Sequence, residues 1–205
     1  MIYLSQNELK SVFYRMLVGA KFDVGTAEDI AKAGAFGAAL GLPVYAALLE
    51  GLTVDDAEGH IDNRRFERAG PADFRWMLQA LDLLRADMVS CCHAPAGPLD
   101  WLVVPLLAGM APELSLSLYV QGEAFHVSGG HIYRLPPSEA EAGDIDLSMS
   151  IAQDTGSLPP PLATGPITIA EDIWAELDVL AAHSYVPATD ASRLSGAGAG
   201  LSDND

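Results

Sequence analysis

Two short stretches of the chain hold the residue types from which a reactive or binding site could be built. In the first, residues 124–135, the pair Gly129-Gly130 supplies the positive φ angles that a two-residue hairpin turn requires. With that turn, Ser128 faces His131, Val127 faces Ile132 and His126 faces Tyr133. Strand alternation then gathers His126, Ser128, His131 and Tyr133 on one face and leaves Phe125, Val127 and Ile132 on the other. A polar face with two imidazoles is a candidate pocket wall. A solvent-facing hairpin surface that happens to carry histidine accounts for the same residues. The two histidines are diagonal neighbours, roughly 7 to 8 Å apart at the backbone, so a metal needs further ligands to bridge them. No metal is expected.

The second stretch is Cys91, Cys92 and His93. Neighbouring residues of a strand point to opposite faces, so at most one of the two thiols can pair with a given histidine. A buried structural cysteine is the reading preferred here, because free cysteine is among the most buried residue types. The Gly-Ala-Gly-Ala-Gly run after Arg193 is not a phosphate loop: no strand precedes it, no helix follows it, and the five residues after it include two Asp. The segment 191–205 is read as a Gly-rich acidic tail: a disordered end is the reading preferred here, and a flexible segment that docks, with Arg193 as a candidate anchor for a carboxylate, is the alternative. There is no Gly-x-Ser-x-Gly elbow, His-Glu-x-x-His helix or Asp-rich calcium loop, and no cofactor is expected.

The elements that must position these residues divide into a helical and a sheet part. Ser5 and Glu8 form a capping box ahead of Leu9, Val12, Phe13, Met16 and Leu17, which share a helix face. Thr26 and Asp29 suggest the start of a second helix, whose Ala27, Ile30, Ala31, Gly34, Ala35 and Ala38 form a small-residue face. Pro43 opens a third. Residues 52–70 read as an exposed connection or a short edge hairpin. A strongly apolar central helix spans 71–86, with Phe74, Met77, Leu78, Leu81 and Leu84 on its stripe. Strands are expected at 88–92, 99–104, 114–120, 124–135 and 145–151, where apolar or β-branched runs lie between Pro and Gly clusters. Thr168 and Glu171 suggest the cap of a last helix over 168–183. The fold class is α+β in one domain over 1–190: an N-terminal helical part over 1–52, the central helix, a mixed or mostly antiparallel sheet over 87–151 and the last helix.

Charge narrows the partners. The 205 residues carry 11 Lys plus Arg against 28 Asp plus Glu, a net of −17. That sign argues against nucleic acid and against an anionic membrane surface. Residues 101–205 hold 14 of the acidic and two of the basic side chains: a solvating acidic surface without a partner accounts for them, and any partner of that half should be neutral or basic. The near-neutral N-terminal helices are the expected place for self-association. An N-terminus without a basic and apolar leader, and two adjacent cysteines unsuited to a mutual disulfide, are read as cytoplasmic.

Leu4, Glu8 and Leu9, the small residues around Ala27 and Ala31, and Leu42-Pro43-x-Tyr45 closed by Gly51 resemble the N-terminal helices of the type 2 malate/L-lactate dehydrogenase family. That family uses NAD(P) on a non-Rossmann fold and carries a functional histidine in a Ser-His-Gly segment ahead of the Leu-Pro stretch. Here Gly41 runs directly into Leu42-Pro43, and no histidine precedes His60. The length and the Gly-Ala-Gly-rich tail also resemble an uncharacterised bacterial family of about 200 residues. The missing histidine segment and the exposed-looking tail point to a non-catalytic accessory protein that binds a ligand or a protein partner and resembles a dehydrogenase helical module without its catalytic segment. The alternative is a small-molecule enzyme, oxidoreductase-like, with its pocket near the 124–135 hairpin.

Overall fold

A computed structural model describes residues 1–50, 59–97, 99–136, 147–152 and 157–184. In chain order its elements are β1 (Ile2–Leu4), α1 (Gln6–Gly19), α2 (Val24–Ala39), α3 (Val44–Glu50), β2 (Gly59–Asp62), β3 (Arg65–Arg68), α4 (Phe74–Arg85), β4 (Cys91–Ala94), α5 (Asp100–Met110), β5 (Ser115–Val120), β6 (Glu123–Ser128), β7 (His131–Arg134), β8 (Leu147–Ile151), β9 (Ile167–Ile169) and α6 (Glu171–Ala182). This is an α+β fold. No helix among the described residues is long and apolar enough to cross a membrane.

The capping box forms as expected: Ser5 Oγ accepts from Glu8 N at 3.2 Å, and the Glu8 carboxylate accepts from Ser5 N at 2.8 Å. The start of α2 differs from expectation. Asp23 is the cap, accepting from Thr26 N at 2.9 Å, so Thr26 is the residue capped rather than the capping one. The small residues of α2 pack between α1 and α5. An added Cβ at Gly37 meets Val44 at 2.7 Å and Pro105 at 3.1 Å, so the absent side chain is what lets α2, α3 and α5 approach this closely.

Two expected elements are corrected. Residues 99–104 are not a strand: from Asp100 onward they are helical, in α5, where Leu102, Val103, Val104, Leu106 and Leu107 are all buried. An apolar run covered on every side loses the periodicity that separates helix from strand. Thr168 does not cap the last helix. It lies in β9, paired with Tyr3 of β1, and α6 begins at Glu171 with no side-chain cap. Glu171 and Asp172 occupy its first turn, where negative charge suits the helix dipole.

Among the described residues the main sheet has seven strands in the order β2-β3-β4-β8-β5-β6-β7, and only the β3–β4 pair is parallel. The expected edge hairpin is β2–β3, turning on Asn63 and Arg64, both at positive φ; residues 51–58 lie outside the described residues. The hairpin between β6 and β7 turns on Gly129 and Gly130, at φ +58° and +77°, in the expected register. A further turn, Gln121-Gly122, joins β5 to β6 with both residues at positive φ. The Gln121 side chain is fixed there, accepting from Trp101 Nε1 at 3.0 Å and donating to the Gly97 carbonyl at 2.9 Å.

One face of this sheet is apolar and covered by helices. Phe66, Cys92, Met149, Leu118 and Phe125 lie in register across five strands, all buried. Trp76 of α4 stacks on Phe66 with ring centroids 5.5 Å apart, and Trp101 of α5 meets Phe125 edge-on at 6.1 Å. A buried ion pair ties α4 to β3: Arg68 Nη1 lies 2.8 Å from Asp73 Oδ2, while Asp73 Oδ1 caps α4 at Trp76 N.

The tightest packing point supplies a test. Gly37→Ala forces a methyl group against Val44 and should cost about 1–3 kcal/mol of unfolding free energy, the usual effect of overpacking. Urea denaturation at constant slope measures it.

Candidate functional site

The opposite face of the same sheet is polar from edge to edge. Register places Asp62, Arg65, Cys91, Ser150, Ser117, His126 and Tyr133 in one row, one residue from each of the seven strands. The next row runs His60, Glu67, His93, Ser148, Tyr119 and Ala124. On the other side Ser115, Ser128 and His131 adjoin. Four of the chain's five histidines therefore share one sheet face. The side chains of β4, β5 and β8 on this face are half-exposed, and His60 and His131 are exposed.

Of the expected site residues, the structure brings His126, Ser128, His131 and Tyr133 onto one face, as the hairpin register required. Their environments differ. Tyr133 sits between the two imidazoles, with ring centroids 5.9 Å from His126 and 6.5 Å from His131. His126 is 1% exposed, and its Nε2 lies 3.2 Å from Ser115 Oγ. Its Nδ1 is buried without a hydrogen-bond partner among the described residues. Arg193 lies outside the described residues.

This arrangement limits the chemistry. A serine beside an imidazole is the beginning of an activated nucleophile, but the imidazole must then be oriented by a group on its far nitrogen. His126 Nδ1 has no such group among the described residues. Burial also lowers the His126 pKa, so the ring is neutral near pH 7. The described residues contain no group of three or more His, Cys, Asp or Glu side chains placed to hold a metal ion.

The cysteines separate as strand geometry demands. Cys91 is half-exposed on the polar face, between Arg65 and Ser150. Cys92 is buried on the apolar face with its thiol 3.8 Å from the Ala80 carbonyl, and burial pushes its pKa up to about 12. A thiol held protonated is neither a nucleophile nor a metal ligand at neutral pH.

Sequence patterns alone do not join His60, His93 and the serine rows into one surface. The alternation in Ser115-Leu-Ser-Leu and Leu147-Ser-Met-Ser is visible, but not that β8 inserts between β4 and β5.

The fold and site thus define an α+β protein with one polar, half-exposed, histidine-bearing sheet face. Residues 4–72, about a third of the chain, match a family described as a protein of unknown function (DUF3726). The match takes in the three N-terminal helices and the edge hairpin and ends before α4. No curated protein and no solved structure matches the chain, so the dehydrogenase resemblance gains no support from these comparisons.

Two measurements check the site. A thiol reagent at pH 8 should modify one cysteine, Cys91, in the native protein and both after denaturation. Stability should fall as the pH drops below about 6.5, because the unfolded chain binds a proton at His126 while the folded chain, whose pKa is lowered, does not. His126→Gln should flatten that segment of the stability profile. The carboxylates with lowered pKa, Glu8, Asp23, Glu28 and Glu113, lose their contribution only at lower pH.

Proposed function

We propose that the chain is a non-catalytic binding protein that presents its polar sheet face to a protein partner or a small ligand. The observation that carries this reading is the placement of His60, His93, His126 and His131 on one face, opposite the face that α4 and α5 cover. Imidazole, hydroxyl and phenol groups spread over six of the seven strands offer many moderate hydrogen bonds rather than one concentrated reactive centre. The acidic balance of residues 101–205 favours a neutral or basic partner.

A small-molecule enzyme built on the 124–135 hairpin is the second reading, favoured by the Ser115–His126 contact alone. Two experiments separate them. Immobilised protein should retain a specific component of cell extract, reproduced with the purified component, and a His131→Ala/Tyr133→Ala variant should lose at least tenfold of it. Equal retention by that variant overturns the proposal. A broad substrate screen should show no turnover, and turnover abolished by His126→Ala would establish the enzyme reading instead. Titration with NADH should leave its fluorescence unchanged, because the segment that carries the dehydrogenases' histidine has no counterpart here.

A further inference from the structure

We propose a second binding site, in the helical layer: a cleft of about 310 Å³ between the α1–α2 turn and the start of α4 that takes a small monocarboxylate with an apolar or aromatic body. Its walls include Lys21, Phe22, Asp23, Phe74, Arg75 and Leu78. The volume lies at the lower end of the range for small-molecule sites, roughly 300–1,000 Å³.

The state of its two cations sets this cleft apart. In a chain with far more acidic than basic side chains, Lys10, Lys32, Arg64, Arg65, Arg68, Arg85 and Arg134 all lie against carboxylates. Among the described residues, the side chains of Lys21 and Arg75 have neither an ion-pair nor a hydrogen-bond partner, and both line this one cleft.

Each also stands where its residue type is disfavoured. Lys21 follows the C-cap of α1 at φ +72°, with Lys21 N bonded to the Val18 carbonyl and Phe22 N to the Leu17 carbonyl. That is a Schellman turn, and its left-handed position is normally glycine. Arg75 is the second residue of α4, where a cation opposes the helix dipole. Two local rules broken at one cleft indicate residues kept for something other than stability.

Charge and shape set the ligand class. Asp23 and Asp73 cap α2 and α4, engaging the Thr26 and Trp76 amides and placing a carboxylate at each helix start. The Asp73 charge is countered by Arg68 at 2.8 Å. Lys21 and Arg75 against Asp23 then leave one net positive charge, which matches a monocarboxylate better than a phosphate dianion. Phe22 and Phe74, edge to face at 5.6 Å, with Leu78, provide the apolar wall for its body.

The test uses 3-phenylpropionate, acetate and inorganic phosphate as probes, followed by calorimetric titration and thermal unfolding. The first should bind saturably and raise Tm, with acetate and phosphate at least tenfold weaker. Lys21→Gly and Arg75→Ala should each weaken binding at least tenfold. Lys21→Gly should also raise the Tm of the free protein by about 2–4 °C, the shift expected for roughly one relieved left-handed residue in a chain of this size. The His131→Ala/Tyr133→Ala variant of the sheet face should bind the probe as wild type does. No saturable binding, equal binding in the Lys21→Gly/Arg75→Ala variant, or phosphate binding as tight as 3-phenylpropionate overturns the proposal.

Discussion

Strand β8, five residues hydrogen-bonded on both edges, holds the main sheet together. On one side Cys91, Cys92, His93 and Ala94 pair with it; on the other, Leu116, Ser117, Leu118 and Tyr119. Without it the β2-β3-β4 group and the β5-β6-β7 group have no shared edge. Its alternation also sets the two faces: Leu147 and Met149 enter the core, and Ser148 and Ser150 join the polar rows. The candidate surface is therefore a product of pairing over long sequence separations. The thiol of Cys91 and the imidazole of His126 stand in one row only because Ser150 and Ser117 lie between them.

The energetics of the two layers differ in kind. The covered face is held by aromatic stacking, by the packing of α4 and α5, and by the Arg68–Asp73 pair, whose carboxylate also caps α4. A buried pair of this sort is weak evidence of added stability, since desolvation offsets much of the attraction, but it fixes where α4 begins relative to β3. The helical cleft instead contains groups that stability alone does not explain: a lysine in a left-handed turn and an arginine at the positive end of a helix. Such local conflicts mark sites where contacts with something outside the chain can compensate.

How much of the fold is legible in the sequence depends on the range of the interactions involved. The Ser5 and Glu8 box, the Gly129-Gly130 turn and the face shared by His126 and Tyr133 follow from residues a few positions apart, and all are present in the structure. Asp23 displaces Thr26 as a cap because both can accept a backbone hydrogen bond and only the geometry of the preceding turn decides between them. Helix α5 reads as a strand in the sequence because burial on all sides erases its period. Thr168 resembles a cap but pairs with Tyr3, 165 positions away, a choice that no local pattern carries.

The amino-acid sequence by itself determined the α+β composition, most helix positions, the two-faced character of each strand and the acidity of the second half. These depend on side-chain size, charge and period, which act within one or two turns of chain. Tertiary structure alone decided the strand order, the gathering of four histidines on one face and the meeting of Lys21 with Arg75 in one cleft. Those outcomes rest on which partners a strand or helix finds across the molecule. Many pairings satisfy the same local alternation, and only the joint packing of the whole chain selects among them.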